Sequence, residues 1–245
     1  MERTFVNKDL IKKRFSRKLD TYNDNAKIQK KMAEKLAELV TEPECNSVLE
    51  IGCGTGLLTA LAKQKLSFQK YVAIDIVPEC EEYIKQVNPQ AEFVPSDIES
   101  YIEGSEMFDL IISNASLQWV ENLSNIVDKL VQKLNKGGTL IFSTFGIENF
   151  REIYYVLGKT LTYYSKQELE EKLSKHNPMI EEEIRVMAFK TPKDVLKHIQ
   201  NTGVNALSAE SWTKNDLMNF EKEYNIFCAN HPTLTYHPLF VKIQK

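Results

Sequence analysis

The chain has 245 residues, 42% hydrophobic and 27% charged, with a formal net charge of −3. That balance is ordinary for a folded globular protein and excludes disordered, collagen-like and low-complexity chains. No apolar run approaches the roughly 20 residues that span a bilayer, and the first residues, Met1-Glu2-Arg3-Thr4-Phe5, form no apolar leader, so neither a membrane nor a secretory route is expected.

Four cysteines (Cys45, Cys53, Cys80, Cys228) lie at no zinc spacing and form no CxxC pair. They read as free thiols in the cytoplasm, with no metal site. Charge is uneven: residues 1–31 hold ten Lys/Arg against four Asp/Glu, while the remainder is acidic. Lys8, Lys12, Lys13, Arg14, Arg17 and Lys18 form either a docking face for an acidic partner or the solvated face of a helix.

Leu10, Ile11, Phe15, Leu19 and Tyr22, then Ile28, Met32, Leu36 and Leu39, repeat at helical spacing. They predict two helices broken near Thr21–Asn25. From residue 47 strands alternate with helices. Strands are expected at Ser47–Ile51, Lys70–Asp75, Ala91–Pro95, Phe108–Asn114 and Thr139–Phe145, and helices at Gly56–Leu66, Pro78–Val87 and Leu123–Leu134, the last ended by Lys136-Gly137-Gly138. Beyond them come helices near 149–158 and 166–175, a strand Glu181–Phe189, helices near 192–201 and 214–228, and a final strand Thr235–Ile243. Five strands joined by helices imply an α/β fold with a parallel, doubly wound sheet, and residues 191–230 read as a helical insertion before the last strand. In such sheets the ligand lies beyond the carboxyl ends of the strands, so the loops after residues 51, 75, 95 and 114 should surround it.

Glu50-Ile51-Gly52-Cys53-Gly54-Thr55-Gly56 leaves the first strand and opens the first helix. Glycines there allow a tight turn and close approach of the backbone to a ligand. A dinucleotide fingerprint would place its third glycine at position 57, which is Leu57, so an NAD-dependent dehydrogenase is disfavoured. Asp75 ends the second strand, where a carboxylate can accept both hydroxyls of a ribose. Ser96-Asp97-Ile98 follows the third strand and Ser113-Asn114 ends the fourth. Singly, Asp97 and Asn114 are more often caps or turn residues; in order at successive strand ends the set is more specific.

Together these residues resemble the class I S-adenosylmethionine-dependent methyltransferases. The resemblance implies a Rossmann-like, mostly parallel seven-stranded sheet with helices on both faces and an antiparallel pair supplied by the last strands. It also implies a cofactor, S-adenosylmethionine, held by Glu50, Gly52, Cys53, Gly54, Gly56, Asp75, Ile76, Asp97, Ile98 and Asn114, with Asp75 on ribose and Asp97 with Ile98 at adenine. Asn114-Ala115-Ser116-Leu117 lacks the Pro-Pro-aromatic continuation of amino-methylating nucleic-acid enzymes, no Pro-Cys pair serves cytosine C5 chemistry, and the acidic body is unsuited to phosphate contacts, so no nucleic acid is expected.

A closer resemblance covers nearly the whole chain. Val6-Asn7-Lys8, Phe15-Ser16-Arg17, Tyr22, Asp97-Ile98-Glu99-Ser100, Ser113-Asn114 with Gln118-Trp119, Asn122-Leu123-Ser124, Phe142-Ser143-Thr144-Phe145, Leu196–Gly203 and Leu234-Thr235-Tyr236-His237 look like the BioC family. Its members are malonyl-acyl-carrier-protein O-methyltransferases of biotin synthesis. A mild departure is Thr55, where many members carry Pro after the second glycine. What the resemblance implies is transfer of the methyl of S-adenosylmethionine to the free carboxylate of malonyl-acyl carrier protein, or of malonyl-coenzyme A, by a monomer. An acid with a pKa near ~4 is already ionised at neutral pH, so no general base is expected.

Candidates for positioning the acceptor are Tyr22, Gln118, Trp119, Tyr236 and His237, each with a structural alternative, and for docking Lys12, Lys13, Arg17 and Lys18. Competing readings are another small-molecule carboxyl methyltransferase acting on a free dicarboxylic acid of aconitate type, and an interaction module that has lost turnover. The chain divides into a helical lid and docking segment (1–42), a cofactor-binding core (43–146) and substrate-side helices with C-terminal strands (147–245).

Overall fold

The structure is a computed structural model describing residues 7–158, 161–202 and 212–245. Val6 and Gly203, and the part of the 191–230 insertion from 203 to 211, lie outside the described residues. Three helices open the chain: α1 (Lys8–Ser16), α2 (Leu19–Asn25) and α3 (Lys27–Leu39). Two were expected, with a break at Thr21–Asn25, but that stretch is itself helical. The polar side chains of α2 have tertiary partners that periodicity does not reveal: Thr55 donates to Asn23 Oδ1 at 2.6 Å and Tyr83 to Asp20 at 2.5 Å.

The core follows as β1 (Ser47–Ile51), α4 (Leu57–Lys65), β2 (Lys70–Asp75), α5 (Cys80–Val87), β3 (Glu92–Pro95), α6 (Ile98–Tyr101), β4 (Phe108–Ser113), α7 (Leu123–Gln132) and β5 (Leu134–Phe145). Then come α8 (Arg151–Leu157), α9 (Lys166–Leu173), β6 (Met179–Glu182), β7 (Arg185–Ala188), α10 (Pro192–Asn201), α11 (Lys214–Phe227), β8 (Thr233–Tyr236) and β9 (Pro238–Gln244). Capping boxes start α9 (Ser165 with Glu168), α10 (Thr191 with Asp194) and α11 (Thr213 with Asp216), so these helices begin where the sequence places them.

Seven strands form one sheet in the order β3-β2-β1-β4-β5-β9-β6, parallel except for β9, which runs antiparallel to both its neighbours. The two-residue period of the strands sends alternate side chains to opposite faces. Val48, Ala73, Leu110, Ile112 and Ile141 pack on one side with α3 and α4. Leu49, Ile51, Val72, Ile74, Ile111 and Leu140 pack on the other with α7 and α9. This is the mostly parallel seven-stranded sheet expected.

Three local expectations are corrected. Lys136-Gly137-Gly138 is a bulge inside β5: pairing steps from Phe108↔Leu134 to Leu110↔Thr139, and Gly137 N–H and Gly138 O bond the C-terminal Lys245. A segment more than a hundred residues away thus turns a glycine loop into strand. The single strand expected at Glu181–Phe189 divides into β6 on β9 and β7 on β8, and Thr235–Ile243 likewise divides at His237. Both strands change sheets at the same corner.

Candidate functional site

At the carboxyl end of the sheet the loops after β1, β2, β3 and β4 surround a cleft roofed by α1 and α2. The glycine loop is stitched to the end of β2: Gly52 and Cys53 N–H donate to Ile74 O (2.8 and 3.1 Å) and Gly54 N–H donates to Asp75 Oδ2 (2.9 Å). Gly52 adopts φ +67°, and a Cβ there would meet Ser116 Oγ at 2.1 Å, so any side chain would push the loop off the end of β4.

Below the loop Glu50, 1% exposed, accepts from Tyr71 Oη (2.5 Å) and Thr59 Oγ1 (2.6 Å). Burial pushes its carboxyl up to about 7 against those bonds. Asp75, 7% exposed, also accepts Val77 N–H (2.9 Å) and is pushed up to about 6, again by burial. Asp97 caps α6 through Glu99 N–H and meets Lys8 Nζ at 2.6 Å; Lys8 also pairs with Glu99. Burial opposes ionisation of Asp97, but hydrogen bonds with Glu99 and Lys8 outweigh it and hold its pKa down. Glu50, Asp75, Asp97 and Glu99 thus line the cleft with Lys8 as the cation among its described lining residues, a balance that suits a bound group carrying positive charge.

Tyr22, Glu50, Gly52, Cys53, Gly54, Asp75, Ile76, Asp97, Ile98, Asn114, Gln118 and Trp119 are all brought to this one cleft. Gly56 lies outside the lining; at φ +80° it caps α4 against Val87, so its role is in the turn. Asn114 reaches the cleft with both ends of its amide engaged by protein: Nδ2 donates to Gln29 O (3.0 Å) and Oδ1 accepts from Ser143 Oγ (2.9 Å).

Tyr236 and His237 are not part of the lining. Tyr236 is wholly buried behind Phe145, 6.1 Å between ring centroids, with its hydroxyl 2.8 Å from His198 Nε2. His237 is the corner where two strands change sheets: Nδ1 accepts Glu148 N–H (3.2 Å), so Nε2 carries the proton towards Glu182 (3.0 Å). A Cβ on Gly146 would fall 2.5 Å from Nδ1, so the ring fills the space a side chain would take. An apolar strand hides these partners, which come from α10, β6 and the loop before α8.

Lys12, Lys13 and Arg17 are exposed, whereas Lys18 is half-buried and donates to Asn201 Oδ1 (3.2 Å). Sequence reading missed Phe15, whose ring lies 3.3 Å from where a Gly54 Cβ would be, and Lys8, Gln29 and Thr202. Gln29 carried a signal, being the polar residue on the stripe of Ile28, Met32, Ala33 and Leu36.

Comparison with known proteins agrees with this architecture. Residues 25–209 match a family model described as a methyltransferase domain. Among solved structures, a putative methyltransferase from Bacillus halodurans aligns with a TM-score of 0.63 at 15% identity, covering 87% of this chain and 98% of that one. The N-methyltransferase NodS from Bradyrhizobium japonicum, solved with S-adenosyl-L-homocysteine, aligns at 0.56 and 15%, covering 96% and 98%; at that identity the likeness is one of fold. Curated malonyl-[acyl-carrier protein] O-methyltransferases are nearer. That of Calditerrivibrio nitroreducens is 37% identical over 240 residues, 96% of each chain. That of Prosthecochloris aestuarii is 35% identical over 253 residues, 98% of this chain and 94% of that one. With a full-length match at this identity, laid over a class I methyltransferase sheet and its acid-lined cleft, the chain belongs to the malonyl-[acyl-carrier protein] O-methyltransferase family.

Proposed function

We infer that the chain methylates the free carboxylate of malonyl-acyl carrier protein with S-adenosylmethionine, giving the malonyl methyl ester. The observation that carries this is the full-length similarity to relatives bearing that name. The cleft residues fit the cofactor: buried acids suit its cationic end, and the carboxylate that ends β2 suits a ribose. S-adenosylmethionine supplies a methyl on a sulfonium, whose charge is cancelled as the carboxylate oxygen takes it, so no proton has to move.

In this reading Asp75 accepts the ribose hydroxyls, while Gly52, Cys53 and Gly54 form the floor. Asp97 and Ile98 mark the adenine end, with Lys8 holding α1 down over it. Tyr22 and Trp119 shield the reacting end from water, which strengthens the attraction between carboxylate and sulfonium. The acceptor is already ionised, so this reading assigns no side chain the role of general base.

Lys12, Lys13 and Arg17 stand exposed on the lid helix α1 and its C-cap and face an acidic carrier protein in this reading. The free cysteines suit a reducing cytoplasm. The test is a mass-spectrometric assay with malonyl-acyl carrier protein, malonyl-coenzyme A and free malonate in parallel. Methylation of the carrier-bound form, faster than of the other two, is expected. Turnover of free malonate or another free diacid, with the carrier form untouched, would replace this reading with a free-acid enzyme.

A further inference from the structure

Gln29 occupies an odd place for a glutamine. It lies in the first turn of α3, on the face that buries Ile28, Met32, Ala33 and Leu36, and is only 3% exposed. Its Oε1 is fully buried with no hydrogen-bond partner among the described residues, a state that costs stability unless something else claims the group. The residue also lines the cleft.

Its backbone is held in place from the catalytic side. Gln29 O accepts from Asn114 Nδ2 (3.0 Å), Asn114 Oδ1 accepts from Ser143 Oγ (2.9 Å), and Ser143 Oγ accepts from Ala115 N–H (2.9 Å). The chain of bonds ties the start of α3 to the end of β4, the loop that also carries Gln118 and Trp119. The two glutamines differ in how firmly they are held. Gln118 Nε2 spends one of its two N–H donors on Ala115 O (2.6 Å), which anchors its amide, and its Oε1 is buried and unpartnered. The Gln29 side chain has no hydrogen bond that fixes it among the described residues, so its amide can turn to present NH₂.

An acceptor carboxylate entering this cleft meets four acids and a single cation, Lys8, already paired with Asp97 and Glu99. No free cation among the described lining residues is placed to hold it. Among the described lining residues neutral donors are what is left to do so, and a neutral donor orients an oxygen without quenching its nucleophilicity as a tight ion pair would.

We propose that the Gln29 carboxamide binds the carboxylate of the methyl acceptor, holding one oxygen so that the other faces the methyl group. The inference rests on the carboxyl-acceptor reading above. It assigns Gln29 to acceptor selection and leaves cofactor binding to the strand ends.

The test is calorimetric titration of S-adenosylhomocysteine-loaded protein with malonyl- and acetyl-acyl carrier protein, which differ by the carboxylate. Wild type should prefer the malonyl form. Gln29→Leu, which keeps the bulk and the apolar fit, should reduce malonyl affinity about ten- to a hundredfold, the range for a hydrogen bond to a charged group. Affinity for acetyl-acyl carrier protein and for S-adenosylhomocysteine should stay within about twofold, well under one such bond. Gln29→Glu, nearly identical in size, should lose more through like-charge repulsion, and it supplies the same readout if the leucine variant does not fold. An unchanged malonyl-to-acetyl ratio overturns the proposal, as does an equal fall for both ligands, which would mean packing alone. Wild type that methylates malonyl-acyl carrier protein while its variants keep their ratio overturns this inference only. Wild type that neither prefers nor methylates the malonyl form overturns the acceptor reading and this inference with it.

Discussion

The two walls of the cleft are held in different ways. The strand-end wall rests on backbone bonds between β1 and β2 and on two buried acids, Glu50 and Asp75, each fixed by two hydrogen bonds. The helical wall of α1 and α2 is tied to the core through side chains: Lys8 to Asp97, Asn23 to Thr55, Asp20 to Tyr83, and Lys18 to Asn201. Backbone pairing is indifferent to side-chain identity and stays rigid, whereas part-exposed side-chain ties are each worth little and open easily. The arrangement suits a site in which one wall holds a cofactor and the other admits an acceptor.

The sharpest challenge to that contrast is Met32→Ala. Met32 is fully buried where α3 meets the sheet, and its truncation should cost about 2–5 kcal/mol in urea denaturation. Loss of a small, separate transition instead would mean that α3 belongs with the loosely tied α1 and α2. Next is Asp75→Ala, which removes the proposed acceptor for two ribose hydroxyls. Cofactor affinity should fall about a hundredfold, at two charge-assisted bonds of about 1.5 kcal/mol each. A folded variant that binds normally by calorimetry would move the ribose elsewhere.

The same residue predicts a pH effect. Burial pushes the Asp75 carboxyl up to about 6, and in the proposed role the ribose-binding form is the ionised one. Cofactor affinity should therefore fall as pH drops below 6, approaching tenfold per unit, while Asp75→Asn removes the dependence. For stability the sign is reversed. A raised carboxyl favours the folded state below its ordinary pKa of about 4, and the contribution is lost as pH rises through 6, so Asp75→Asn should gain stability relative to wild type across that interval.

Two smaller effects concern the helical wall. Charge reversal at Lys12, Lys13 and Arg17 should lower kcat/KM for carrier-bound substrate about tenfold at low salt and leave cofactor affinity intact, with the loss shrinking as salt is raised. Equal kinetics at 20 and 300 mM salt in both proteins would dismiss the docking face. Lys8→Ala, at a part-exposed pair, should speed cofactor release only a few-fold, since such pairs are worth about 1 kcal/mol or less.

Much of this was legible in the residues. The Glu50–Gly54 stretch, Asp75 and Asp97 follow local rules, strand ends with glycines and acids in order, while Gln118-Trp119 stood out only through the family resemblance; all of them lie at one cleft. His237 and Tyr236 were not legible in that way. Both are polar residues near the chain terminus whose partners, Glu148, Glu182 and His198, lie far off in sequence. Gln29 was visible only as a polar interruption of an apolar stripe, which alone does not distinguish a buried amide from a ligand.

Alternating strand and helix periodicity, the glycine spacing and the capping boxes determined the element order, the doubly wound sheet and its ligand-bearing edge. All of them act over a few residues, within reach of local sterics and hydrogen bonding. Tertiary structure decided the division of β6 from β7 and of β8 from β9, the bulge that Lys245 makes of Gly137-Gly138, and the pairing of Lys8 with Asp97. Each depends on a partner distant in sequence, brought near only when the sheet closes.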